Sequence, residues 1–188
     1  MENSMIFTID SWYILVPFFI VILLLLIFRT FFRAKHSLWQ FLLLTTFFVY
    51  FLCMIHLVFF PIEVNIGEYA NLTPWYISIN YIPILTIDLK TFLLNIIMMV
   101  PFGMYLPLLN QKVHSIKKAA FHGLLISLSF EIIQIVLKAA LGNGRSTDIN
   151  DLIANTLGAA VGFLLLKKLT KIDVLSGVVH KLNLDKET

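Results

Sequence analysis

Three stretches of this sequence place carboxylates and amides at helical spacing inside runs that are otherwise oily. Ser127, Glu131, Gln134 and Lys138 stand four, three and four residues apart, so an α-helix would carry all of them on one stripe. Asp148, Asp151, Asn155, Gly158 and Gly162 follow the same rule at three, four, three and four, with Gly144 and Arg145 just before them. Asp88, Thr91 and Asn95 repeat it at three and four. Side chains of these types support two kinds of chemistry. A carboxylate kept from water can act as general acid or base or share a hard cation, and an arginine beside it can meet a phosphate. Alternatively the same groups can receive a polar head group with no bond made or broken. The sequence has no His-rich or Cys-rich ligand set, no Gly-x-Ser-x-Gly elbow and no phosphate loop. No metal and no cofactor is therefore expected, and a catalytic residue stays unassigned.

The elements that must position these groups follow from composition. Of 188 residues, 59% are hydrophobic and 13% charged, with a mean hydropathy of +0.89. Soluble domains average about 45–50% apolar and about 25% charged, so this chain has more oily side chain than one small core can hide. The lipid bilayer is the expected surrounding. A disordered chain, a disulfide scaffold and a nucleic-acid module are all disfavoured by abundant apolar residues, a single cysteine and a mild net charge of +3. Five apolar runs approach the roughly 20 residues a helix needs to cross the hydrocarbon core. They cover 12–28, 38–60, 92–109, 119–137 and 152–166. The prediction is an all-α fold, a polytopic membrane helical bundle of about five transmembrane helices. It divides into two N-terminal helices (1–61), a loop (62–90), a three-helix core (91–166) and a tail (167–188). The first run is preceded by Glu2 and Asp10, lacks basic residues before it and ends without a small-residue cleavage site, so it reads as a retained anchor.

Orientation follows from the basic residues. Arg29, Arg33 and Lys35 follow the first run, Lys112, Lys117 and Lys118 the third, and Lys167, Lys168, Lys171, Lys181 and Lys186 the fifth. Eleven of the 14 Lys and Arg thus fall on one side, leaving Lys90, Lys138 and Arg145 on the other. The positive-inside rule makes the crowded side cytoplasmic, with the N-terminus outside and the C-terminus inside. Residues 62–90 then form an extracellular loop, interrupted by Glu63, Glu68, Pro74, Pro83 and Asp88. Asn71-Leu72-Thr73 within it is given no weight as a glycosylation triplet. For the tail, an interfacial helix and a plain solvated segment stay equally open.

This topology sets the polar ends of the last three runs at one height. They predict a pocket in the outer third of the membrane formed by Asp88, Asn95, Glu131, Gln134, Arg145, Asp148, Asp151 and Asn155, with Arg145 neutralising part of the acid. Local roles compete with it. Asp148 also suits a helix cap and Asp151 the positive end of a helix dipole. Glu131 is too deep for a cap, but a purely structural pairing with Arg145 would account for it. Pro101, with Gly103 and Pro107, predicts a bend in the third helix. His56 is expected to satisfy a neighbour, and Cys53 to serve packing.

These blocks, in this order, resemble the VanZ family of bacterial membrane proteins, named for low-level resistance to the lipoglycopeptide teicoplanin. The resemblance rests on Asn95-Ile96-Ile97-Met98-Met99-Val100-Pro101-Phe102-Gly103, on Glu131-Ile132-Ile133-Gln134, and on Gly144-Arg145-Ser146-Thr147-Asp148-Ile149-Asn150-Asp151-Leu152-Ile153-Ala154-Asn155-Thr156-Leu157-Gly158 with Gly162. It covers about residues 88 to 162, so the 91–166 region reads as a VanZ-like core. Met99 stands where the family often has an aromatic. The resemblance implies a multi-pass protein of the bacterial plasma membrane with a link to glycopeptide resistance. Its partners, besides the lipid bilayer, would be a lipoglycopeptide or a lipid-linked cell-wall precursor, with no nucleic acid. An intramembrane hydrolase or transferase acting on a lipid-linked substrate is the alternative. A carrier is disfavoured, because the polar stripes stop at one side and no inverted repeat is visible.

Overall fold

Four of the five long helices start on a side chain that caps them. A computed structural model describes residues 5–33, 37–67 and 74–182. Lys35, Glu68, the Asn71-Leu72-Thr73 triplet and Lys186 lie outside the described residues. Helix α1 (Trp12–Ile27) runs on through a π-helical turn, Phe28–Phe32. Helix α2 (Leu38–Phe59) begins at a capping box in which Ser37 and Gln40 satisfy each other's backbone N–H groups. Asp88 caps α3 (Leu89–Leu109) and Ser115 caps α4 (Ile116–Leu141), which stops at Gly142 with φ of 67°, a left-handed conformation that glycine adopts without a Cβ penalty. Asp148 caps α5 (Ile149–Leu169). These five helices, the first counted to Phe32, are long and apolar enough to cross a membrane.

The core is the contact between α3 and α5, with α4 packed along α5. Small residues allow it: a Cβ on Gly162 would overlap the Val100 carbonyl oxygen, and one on Gly103 would overlap that of Ala159. Such close backbone approach gains dispersion contact where lipid offers no hydrophobic drive between helices. Met54, Met99, Phe102, Phe130, Ala159 and Phe163 fill the remaining space. Helix α1 touches chiefly α2 and leaves most of its surface exposed, and Cys53 of α2 is likewise exposed rather than packed.

Of the two prolines in α3, Pro101 and Pro107, the first is answered by a side chain. The Tyr50 hydroxyl donates to the Met98 carbonyl at 2.7 Å and accepts from the Phe102 N–H at 3.2 Å, so it sits inside the i to i−4 ladder beside Pro101.

Two small sheets that the apolar pattern does not reveal close one end of the bundle. Strand β1 (Met5–Ile9) pairs antiparallel with β2 (Ile62–Ile66), Phe7 opposite Val64. A 3-10 turn, Trp75–Ser78, leads into β3 (Ile79–Asn80), which pairs in parallel with β4 (Thr147–Asp148). Part of the 62–90 loop is therefore strand, built on partners far away in sequence. At the other end, past Leu169, helix α6 (Asp173–Leu182) folds back on α2. Val179 and Leu182 pack with Leu43, Leu108 and Leu166, and Lys181 Nζ lies 5.6 Å from the centre of the Trp39 ring. The first part of the tail is thus a docked helix.

Candidate functional site

The start of α5 is where distant segments meet. Asp148 accepts the Asn150 N–H at 2.8 Å on one carboxylate oxygen and Asn80 Nδ2 at 3.0 Å on the other. Its own N–H donates to Glu131 Oε2 at 3.1 Å, which ties the middle of α4 to the head of α5. Pairing of β3 with β4 brings Asn80 there. Asn150 is buried and takes the Ile84 N–H on Oδ1 at 2.8 Å, while its Nδ2 donates to Thr86 Oγ1 at 3.1 Å. That bond holds Ile84 at φ of 70°, a left-handed conformation uncommon for a β-branched residue.

Beneath this cap a cavity of about 410 Å³ opens among α2, α3 and α4, with α5 behind. Asn95, Glu131, Gln134, Arg145, Asp151 and Asn155 supply its polar lining. Asn95 Nδ2 donates to Asp151 Oδ1 at 2.6 Å. Asn155 Nδ2 donates to Ser127 Oγ at 2.9 Å, and Gln134 Nε2 to the Val58 carbonyl at 3.2 Å. Arg145 donates to the carbonyls of Leu57 at 3.3 Å and Phe60 at 2.6 Å. Gln134 and Arg145 thereby satisfy carbonyls that the end of α2 leaves without intrahelical partners. Apolar walls come from Leu57, Val58, Leu94, Ile97, Met98 and Phe130. Leu57, Leu94 and Ile97 are 60%, 54% and 64% exposed. The mouth of the cavity is therefore apolar and exposed.

Six of the eight residues selected from the sequence line this space. Asp148 does not, because both its oxygens are taken by the cap. Asp88 does not either: it is exposed, and its carboxylate accepts the Thr91 hydroxyl at 2.5 Å and the Thr91 N–H at 3.1 Å. Those hydrogen bonds, the hydroxyl first, hold it below the ordinary carboxyl range. Arg145 does not pair with Glu131. Its guanidinium goes to carbonyls, so the expected neutralisation of the acid by direct contact is absent among the described residues. Glu131 is buried with the Asp148 N–H as its partner. His56 bonds Ser11 Oγ through Nδ1 at 2.8 Å and stays out of the cavity lining.

Sequence reasoning missed Asn80, Thr86, Asn150 and Glu63. The last accepts the Gly144 N–H at 3.2 Å and anchors the segment before α5. Only Asn150 carried a signal, as an amide between two acids at a helix start. Among the described residues no three His, Cys, Asp or Glu side chains come together as a ligand set for a metal.

Fold and site together define a multi-pass helical membrane protein with a cavity that gathers polar side chains behind an apolar mouth. Its surroundings are a lipid bilayer. The chain belongs to the VanZ/LLP1 family, whose model matches residues 18–171, from within α1 to just past α5. It is 32% identical over 147 residues to Protein VanZ of Enterococcus faecium, covering 70% of this chain and 83% of that protein. No solved structure matches it.

Proposed function

We propose that this protein sits in a bacterial plasma membrane with its N-terminus outside and receives the polar head of an amphiphile from the outer leaflet. The amphiphile is a lipoglycopeptide such as teicoplanin or the lipid-linked cell-wall precursor, and its capture underlies a resistance function. One observation carries the reading: a cavity in which polar side chains gather between apolar walls, with a mouth, at Leu57, Leu94 and Ile97, that is apolar and exposed. A water-soluble substrate gains nothing from that mouth, whereas a lipid-tailed one can keep its tail in the bilayer while its head leaves it. The orientation rests on the basic residues, since Arg29, Arg33, Lys112, Lys117, Lys118, Lys167, Lys168, Lys171 and Lys181 all lie at the end remote from the cavity.

The test replaces Glu131→Gln and Asp151→Asn in a sensitised host and compares susceptibility to a lipid-tailed and an untailed glycopeptide. The expected result is a rise in susceptibility to the tailed compound alone. Unchanged susceptibility to both, at normal protein levels, would refute the proposal.

An intramembrane hydrolase or transferase is the second reading, favoured by two carboxylates, Glu131 and Asp151, lining one cavity. Glu131 would serve as general acid or base and Arg145 would hold a phosphate. Purified protein that releases a product from a lipid-linked substrate, with release lost in Glu131→Gln, would establish it.

A further inference from the structure

The chemistry of the cavity selects among head groups. Its oxygen acceptors outnumber their partners. Glu131 uses one carboxylate oxygen on the Asp148 N–H, and Asp151 uses one on Asn95. Asn155, only 4% exposed, lines the cavity with its Oδ1 unpartnered, and the buried Oε1 of Gln134 has no partner either. Buried acceptors of this kind are costly unless a donor reaches them. The one strong donor is Arg145, which spends two hydrogen bonds on carbonyls out of the five a guanidinium can make.

We propose that the cavity recognises a lipid head bearing a primary ammonium beside a phosphate, the ammonium meeting Glu131 and Asp151 and the phosphate meeting Arg145. This rests on the reading above only in that an amphiphile's head enters the cavity, and it assigns that head to a phospholipid rather than to a lipoglycopeptide. A purely anionic head would set its charge against two carboxylates. A quaternary ammonium has the charge but no N–H, so it leaves the acceptors unfilled. A volume of about 410 Å³ admits a head group but not a whole lipid, so the tails stay in the bilayer.

The test uses the full chain in neutral detergent, titrated with phosphatidylethanolamine, phosphatidylcholine and phosphatidylglycerol of identical acyl chains, bound lipid being read by native mass spectrometry. Phosphatidylethanolamine is expected to bind more tightly than the other two by about tenfold, the worth of one charge-assisted hydrogen bond. Glu131→Gln and Asp151→Asn should shrink that preference. Ile97→Trp, at an exposed position in the mouth, should block the cavity without disturbing the core, and decides the matter even where the acid variants fail to fold. Equal binding of the ethanolamine and choline lipids, with both weakened by Ile97→Trp, would overturn the ammonium assignment and leave the amphiphile reading standing. Binding that Ile97→Trp does not alter would overturn both.

Discussion

Replacing Gly158 with alanine should loosen the cavity from behind. The new Cβ would overlap the Ile96 carbonyl oxygen and lie 2.8 Å from Met99 Cβ. Carbon atoms rest at about 3.5–4.0 Å, so α3 must retreat from α5 by roughly 0.7–1.2 Å. Asn95, one residue before Ile96, moves with it. Its 2.6 Å hydrogen bond to Asp151 would then stretch beyond about 3.2 Å, the usual limit for a good N–H···O bond. Overpacking of this size costs about 1–3 kcal/mol, and the weakened bond to a carboxylate adds to it, for a total of about 2–4 kcal/mol. Gly177 in α6 is the control, since a Cβ there meets nothing within 4 Å. Gly177→Ala should raise helix stability by about 0.5–1 kcal/mol or leave it unchanged. The assay is reversible unfolding in lipid nanodiscs, paired with hydrogen exchange of the α3 and α5 amides. If Gly158→Ala matches Gly177→Ala in both measurements, the close seam does not hold the cavity and the reasoning fails.

Tyr50→Phe removes the hydroxyl between the Met98 carbonyl and the Phe102 N–H; a loss of about 1–3 kcal/mol is expected, with faster exchange at the Phe102 amide, and unchanged exchange would discount the bridge. Glu131→Gln keeps an acceptor for the Asp148 N–H and should unfold near wild type, whereas Glu131→Leu strands that N–H and should cost about 1–3 kcal/mol; equal stability of the two would show that the bond does not matter. Arg145→Lys cannot span the Leu57 and Phe60 carbonyls as a planar fork, so a loss of about 1 kcal/mol is expected in the same unfolding assay, and a lysine variant as stable as wild type would contradict it. Asp88 has a carboxyl held below its ordinary value, so its cap is complete above about pH 4, where the unfolded carboxyl ionises, and is lost as pH falls through the lower folded value. Exchange at the Thr91 amide should therefore rise at acid pH in the wild type and be high at all pH in Asp88→Ala.

Much of the bundle is legible because two signals are local. Length and hydropathy mark the five crossings, and they need no knowledge of neighbours. A period of 3.6 sets Glu131 with Gln134, and Asp151 with Asn155, on single stripes, so their convergence on one cavity follows from facing helices. Arg145 shows the limit. From the sequence it is a cation near acids, yet the open carbonyls at the end of α2, more than 80 residues earlier, take its hydrogen bonds. Asp88 is a second case: its spacing to Asn95 suits a shared stripe, but a residue at the cap turns its carboxylate back to the first turn of its own helix. The paired strands escaped notice because segments as short as Ile79–Asn80 carry no periodicity, and their partner lies on the far side of two crossings.

The sequence by itself determined that this chain lives in a bilayer, how many times it can cross, and which side chains are too polar to face lipid. Those properties belong to single helices and follow from composition and period. The tertiary structure decided which of the polar groups share a space, that α2 rather than Glu131 receives Arg145, and that the mouth of that space is apolar and exposed. Such outcomes depend on how closely α3 and α5 approach and on where α2 ends, and a backbone separation set by the absence of a Cβ at Gly158 and Gly162 takes effect only once both helices are in place.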